Sequence, residues 1–244
     1  RIGAPHAVED LPRRRLLALE HERLARVCGV VRNTQHEAVR TAHAGDYEKS
    51  LGSPTRKNYR QSLRKYAEQY GEVALERAGT TAEALAMLQE LADLHQRSWV
   101  TRGKPGVFAS SRFCAFHRTL AETACPNNGV QLWRVRAGGS AIGLIYGFVH
   151  KNRVYFYQSG LQYSENSRLQ PGLVPLVQVV QDCILAGNDE FHFLAGDAQY
   201  KQLLSSGERD LVWVVFQRPS LKMQTLEFLS RSRRSLQTLT QTTA

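Results

Sequence analysis

The spacing of apolar residues changes along the chain from a helical period to a period of two. Between residues 80 and 124 apolar side chains recur every three or four positions, as at Leu85 and Leu88, which predicts two amphipathic helices. From Val130 to Gly160 apolar and polar residues alternate in three runs that are joined by short turns such as Gly138-Gly139. Such connections are typical of β-hairpins, so this part predicts a three-stranded antiparallel meander.

The pattern after the meander alternates between helix and strand. It predicts a long apolar helix from Gly172 to Ala186, a strand from Glu190 to Leu194, a short helix from Ala198 to Ser205 and a last strand from Leu211 to Gln217. The strand–helix–strand passage predicts a right-handed crossover between parallel strands. The fold class is therefore α/β, with a mixed α+β sheet.

Helix signals also precede the meander. Residues 46–71 predict a charged helix that Asp46 begins and Gly71 ends, with Pro54 splitting it in two. Thr80 and Glu83 have the spacing of a capping box, which marks the start of the next helix.

The sequence divides into three parts. Residues 1–45 combine a predicted helix from Pro12 to Arg26 with a short strand-like run, and they are too poor in apolar residues to fold alone. We interpret them as the remnant of a preceding domain, and because residue 1 is Arg rather than Met we expect the natural chain to begin earlier. Residues 46–217 form the main domain, and residues 218–244 predict a basic helix with a loose tail.

Composition excludes several classes of protein. With 42% apolar and 22% charged residues the chain resembles ordinary globular proteins, and no run of about 18 apolar residues predicts a membrane span. The four cysteines have neither zinc-ligand nor disulfide-framework spacing, so we expect no metal and reduced thiols in the cytoplasm.

The net charge of +10 favours anionic partners. Arg56, Arg60 and Arg64 form a stripe on one predicted helix face. The stripe is either a solvated face or a surface for RNA or another anion.

A helix start near Pro171 is a candidate phosphate site. The N–H groups of Gly172, Leu173 and Val174 would meet a diphosphate in front of the helix dipole. Arg168 would add a charged contact, and Gln170 lies in the same loop. An ordinary loop-to-helix junction is the alternative.

Several sequence blocks occur in the order and spacing of a known group of transferases. They are the basic helix from Arg56 to Lys65, Leu94–Trp99, Arg102–Phe108, Phe116–Arg118, Tyr155–Gly160, Gln170–Leu173 and Gly196–Lys201. Together, over residues 45–217, they resemble the BioF2-like (CelD-type) acetyltransferases, which belong to the GNAT superfamily and are relatives of the Fem peptidyltransferases. The resemblance implies an acyltransferase fold with acyl-CoA as the donor. The phosphate loop here has one glycine where the family commonly has more.

The resemblance also implies catalytic roles. Tyr200 is the candidate general acid for a departing thiolate, because GNAT enzymes often hold a tyrosine on this helix. Asp197 and His192 are candidates for the base that deprotonates an amine, although Asp197 also suits a helix N-cap. Asp197 stands where we expect a longer glutamate.

Further residues are candidates for substrate binding. Gln158 and Ser159 end the central strand, and the resemblance implies that polar groups at this place face the acyl carbonyl. Tyr157 would form part of the wall of the site. Lys201 either binds an acceptor phosphate or carboxylate or is a solvated surface lysine.

Three functional hypotheses are consistent with these features. The first is an N-acyltransferase that moves an acyl or acetyl group from acyl-CoA to an amine, with an amino sugar or a polysaccharide precursor as a candidate acceptor. The second is a Fem-like transferase that uses aminoacyl-tRNA. The third is a non-catalytic module of the same fold in polysaccharide assembly.

Overall fold

A computed structural model describes residues 26–40, 47–164, 166–195 and 198–217. The chain forms two compact units, one of residues Gln35–Arg209 and one that combines Arg1–Thr34 with Asp210–Ala244. The predicted helix from Pro12 lies outside the described residues, except that Arg26 begins a strand. The predicted N-cap Asp46, the turn Gly196-Asp197 and the predicted C-terminal helix also lie outside them.

The described part contains seven strands. They are β1 (Arg26–Arg40), β2 (Val73–Arg77), β3 (Val130–Ala137), β4 (Ser140–His150), β5 (Arg153–Leu161), β6 (Glu190–Ala195) and β7 (Gly207–Gln217). The alternating pattern predicted β3 to β6 to within a residue or two, and β7 begins four residues earlier than predicted. Strand β1 is far longer than the short run that its sequence indicated, and β2 was not predicted.

The described part contains six α-helices. They are α1 (Tyr47–Ser50), α2 (Ser53–Tyr70), α3 (Thr81–Thr101), α4 (Ser111–Ala124), α5 (Leu173–Leu185) and α6 (Gln199–Leu204). Local signals set several of their ends. Pro54 stands in the first turn of α2 and Gly71 ends that helix, while Thr80 and Glu83 form both hydrogen bonds of a capping box at the start of α3.

In the larger unit the strands lie in the order β2-β3-β4-β5-β6-β1, with His36–Arg40 of β1 pairing against β6. Strands β2 to β5 pair antiparallel in sequence order, so β2 adds a fourth antiparallel strand beside the predicted three-stranded meander. Strands β5 and β6 are parallel and α5 lies between them in the chain, which confirms the parallel pairing that was predicted for this strand–helix–strand passage. The described residues of the smaller unit belong to β1 and β7, which are neighbours in the strand order.

Each face of the sheet has its own core because side chains alternate along a strand. Trp133 and Val135 of β3 pack on the face that α2 and α5 cover. Val130 and Leu132 of the same strand pack on the opposite face, under α3 and α4. Among the described residues, no helix is both long enough and apolar enough to cross a membrane.

Candidate active site

Strands β5 and β6 stop pairing before either strand ends. Arg153, Val154 and Tyr155 are the described residues of β5 that pair with β6, opposite Glu190–His192. Strand β5 nevertheless continues to Leu161 and β6 to Ala195. The later part of β5 therefore presents backbone groups on an edge that β6 does not cover.

Ser159 has its N–H on this uncovered edge. The Gln162 N–H donates to the Ile142 carbonyl at 3.0 Å, and hydrogen-bonded pairs alternate along an antiparallel ladder. The next residue of β5 whose backbone is hydrogen-bonded to β4 is therefore Gly160, and the backbone N–H of Ser159 is directed away from β4. Its N–H instead donates to Oε1 of Gln158 at 3.2 Å.

A β-bulge turns the Ser159 side chain to the face of α5. Tyr146 pairs with Gln158 and Gly147 pairs with Phe156, so Tyr157 is the extra residue of β5. Phe156 and Ser159 consequently line the same cavity although they are three residues apart.

This cavity has a volume of about 380 Å³ and brings several predicted residues together. Ser159 comes from β5, Gln170 and Gly172 from the loop before α5, Leu173 from α5 itself and Tyr200 from α6. The volume lies in the range of ligand-binding clefts. We call this space the acyl cavity, because the family resemblance implies an acyl donor.

The start of α5 forms one side of the acyl cavity. A Cβ on Gly172 would meet only Leu161 Cδ1, at 3.7 Å, so the space before the helix is open. The Leu173 N–H already donates to the Gln170 carbonyl at 3.0 Å. Within the described part of the chain, the N–H groups of Gly172 and Val174 have no acceptor, and both are available to an anion.

Arg168 adds positive charge close to this helix start. Arg168 lies two residues before Gln170, and its side chain is exposed. Its backbone N–H donates to Asn166 Oδ1 at 3.2 Å. The backbone of Arg168 thus belongs to a short 3-10 turn, and its guanidinium is exposed to solvent.

Tyr200 stands at the mouth of the cavity with 37% of its surface exposed. Partial burial raises the pKa of Tyr200 to about 12, and the neighbouring Tyr163 adds to this rise. The hydroxyl therefore keeps its proton at neutral pH, as a general acid requires. Arg102 in turn lies over the Tyr163 ring, 5.1 Å from the centroid.

Helix α2 holds the walls of the cavity in place. The Tyr59 hydroxyl accepts a hydrogen bond from Gln178 of α5 at 2.7 Å, and Ser62 donates to the Leu169 carbonyl. Thr55 and Asn58 of the same helix line the cavity. Sequence reasoning missed these two residues, whose i, i+3 spacing on an amphipathic helix was the available signal.

Other predicted residues lie away from the cavity. His192 is on the opposite face of β6 from Phe191 and Phe193. Its ring stacks on the Tyr155 ring, and its Nε2 lies 2.9 Å from Glu190 Oε2. Tyr157 packs against His117 on the α3 side of the sheet.

Lys201 and Val174 are buried rather than solvated. The Lys201 Nζ donates to the Leu194 carbonyl at 3.1 Å, so the alternative of a solvated surface lysine is wrong. The Val174 side chain belongs to the core, and only its backbone is directed to the helix start. Asp197 lies outside the described residues.

The basic stripe on α2 is partly engaged within the chain. Arg60 pairs with Glu48, and Arg56 donates to the Lys49 carbonyl at 2.9 Å. Arg64 is exposed. The described residues contain no group of three or more His, Cys, Asp or Glu that could hold a metal ion.

Solved structures with a similar fold include FemX, with a TM-score of 0.53 and 9% sequence identity. The match covers 74% of this chain and 62% of FemX. The chain thus spans less than two thirds of that protein. The C-terminal domain of a putative lysylphosphatidylglycerol synthetase from Agrobacterium fabrum is 12% identical with a TM-score of 0.49, over 89% and 68%. L-PGS from Bacillus licheniformis is 11% identical with a TM-score of 0.48, over 87% and 68%.

A search of curated proteins finds no match. Residues 53–202, which are more than half of the chain, match the family described as the acetyltransferase (GNAT) domain, and most residues that line the acyl cavity lie in this range. The chain therefore belongs to the GNAT acetyltransferase family.

Proposed function

We propose that the protein is an N-acyltransferase that moves an acyl group from acyl-CoA to an amine. The observation that supports this most is that one cavity joins an open helix start, the Ser159 edge of β5 and the protonated hydroxyl of Tyr200. A diphosphate, a carbonyl and a leaving sulfur need these three kinds of group.

The donor would bind with its diphosphate at the start of α5. The N–H groups of Gly172 and Val174 and the exposed guanidinium of Arg168 supply the positive end. Asn58 and Gln170 would offer amide groups to the polar arm of the donor. These residues fit coenzyme A chemically, since all are donors or neutral amides and none is acidic.

Acyl-CoA supplies a thioester whose carbonyl carbon accepts the amine. The Ser159 N–H, once released by Gln158, would stabilise negative charge on the thioester oxygen. The carbon–nitrogen bond forms while the carbon–sulfur bond breaks. Tyr200 would give its proton to the departing sulfur, and the amine loses a proton to a base.

Asp197 remains our proposal for that base, because it follows β6 closely and precedes Tyr200 by three residues. His192 is a weaker candidate, since Glu190 and Tyr155 hold it on the other face of the sheet. The acceptor remains a proposal too, as an amino sugar or a polysaccharide precursor.

An aminoacyl-tRNA donor is the second candidate, and the exposed Arg64 and Lys57 of α2 favour it. The internal contacts of Arg56 and Arg60 reduce the charge that this face offers to RNA. Binding of tRNA with a steep salt dependence would support this donor, and no binding at low salt would exclude it.

Calorimetric titration with acetyl-CoA, followed by thiol release over a panel of amines, tests the proposed function. We expect binding and turnover, and for Tyr200→Phe unchanged binding with turnover reduced by about 100-fold or more. Tyr70→Phe is the matched control, because Tyr70 is 49% exposed and outside the cavity. Absence of both binding and thiol release would refute the acyl-CoA proposal. Turnover by Tyr200→Phe equal to that of the control would refute only the assignment of the acid.

A further inference from the structure

The inner wall of the acyl cavity is almost entirely apolar. Its buried lining residues include Ile145, Phe156, Leu176 and Leu204, which are 0%, 8%, 3% and 1% exposed. Thr55 is the polar residue among the buried part of the lining. The inner wall therefore has few groups with which a ligand could form hydrogen bonds.

The polar lining residues lie nearer the solvent. Asn58 and Tyr200 are exposed, and Ser159 and Gln170 are half-buried. The pantetheine arm of coenzyme A carries two amides and a hydroxyl, and burying such groups without partners is unfavourable. The outer part of the lining thus holds the polar groups that the arm needs, and the inner wall suits a part of the donor that has no polar atoms.

Ser159 stands where these two parts meet. It lies directly opposite Ile145 in the β4–β5 ladder, and Phe156 is the next inward residue of β5 on the same face. A thioester carbonyl that accepts from the Ser159 N–H would thus have its acyl group beside the inner wall. An acetyl group, with a single methyl, would leave much of this apolar space empty, and empty apolar space is destabilising.

We propose that the acyl cavity selects donors with an acyl chain longer than acetyl. This inference rests on the proposed function and names the donor class of the same site. Each methylene that enters the inner wall leaves water, which strengthens binding by about fourfold until the wall is filled.

Calorimetric titration of the full chain with CoA and with acetyl-, butyryl-, hexanoyl- and octanoyl-CoA tests the inference. The measured quantity is the ratio of the Kd for CoA to the Kd for each acyl-CoA. We expect this ratio to rise by about 16-fold for each added pair of methylenes that enters the inner wall, and then to level off. Leu176→Ala should move the plateau to longer chains, and Leu176→Phe to shorter ones.

Leu185→Ala is the matched control, because Leu185 is on the same helix and 87% exposed. It should leave every ratio unchanged. A ratio that is flat or highest for acetyl-CoA overturns the inference while the proposed function stands. Failure of CoA and all thioesters to bind overturns both. If the Leu176 variants do not fold, the series with the unmodified chain decides alone.

Discussion

Gly160 offers a sharp test of how the end of β5 is positioned. A Cβ built on Gly160 would lie 2.5 Å from the Leu91 carbonyl oxygen and 3.0 Å from the Leu91 Cα. Ordinary contacts begin at 3.4 Å, so Gly160→Ala requires a shift of 0.9 Å (3.4 minus 2.5). The obstructing atoms are backbone, which cannot rotate away as the end of a side chain can.

The strand should move rather than the helix. Leu91 and Leu94 of α3 are 0% and 4% exposed and are fixed in the core beneath α4. Overpacking of this kind costs about 1–3 kcal/mol, which lowers the melting temperature by about 2–12 °C in a chain of this size. A shift of nearly 1 Å in Ser159, the adjacent residue, should also reduce turnover by up to about 100-fold.

Thermal unfolding and acyl-CoA turnover of Gly160→Ala measure the two effects. Gly207→Ala is the control, because a Cβ there meets nothing within 4 Å. If Gly160→Ala melts at the temperature of Gly207→Ala, the close packing of β5 on α3 is refuted. If it is destabilised yet turns over normally, Ser159 does not contact the reacting group.

Three further predictions concern single side chains. Gln158→Ala should tighten acyl-CoA binding by up to about fivefold in calorimetry, because it frees the Ser159 N–H from a 3.2 Å hydrogen bond. Weaker binding would show that the Gln158 side chain itself contacts the donor. Burial raises the pKa of Tyr66 to about 12. Its contribution to the free energy of unfolding is therefore complete below about pH 10 and is lost as the pH rises from about 10 through about 12. Urea unfolding should show this loss of stability, and Tyr66→Phe should make the loss smaller. Burial lowers the pKa of His117. Its contribution to the free energy of unfolding is therefore complete above about pH 6.5 and is lost as the pH falls below that value. His117→Phe should reduce the loss of stability at acid pH in the same urea experiment, and an unchanged loss would show that His117 does not cause it.

Local signals predicted much of the fold because their physical causes are local. The capping box of Thr80 and Glu83 satisfies backbone groups within four residues, and it forms as predicted. Gly71 ends α2 with a φ of 104°, a conformation that favours glycine. The period of two predicted β3 to β6, because successive side chains of a strand lie on opposite faces of the sheet.

Features that depend on distant partners were not predictable in this way. Strand β2 has five residues at an edge, and its pairing with β3 spans more than fifty positions of sequence. Thr55 and Asn58 line the cavity from a helix that Ser62 and Tyr59 tie to the Leu169 carbonyl and to Gln178, residues more than one hundred positions away. Burial of Lys201 depends similarly on the Leu194 carbonyl.

The bulge in β5 explains why the strand that carries the candidate chemistry was the hardest to interpret from its sequence. Strict alternation places Tyr157 and Ser159 on one face. The bulge adds one residue at Tyr157, which packs on His117, and thereby changes the phase of the later residues of the strand. Ser159 then lines the acyl cavity with Phe156, and Gly160 lies against α3. This change of phase occurs where β5 separates from β6. The same bulge that interrupts the period of two therefore brings the Ser159 N–H and the apolar inner wall of the cavity to one side of the sheet.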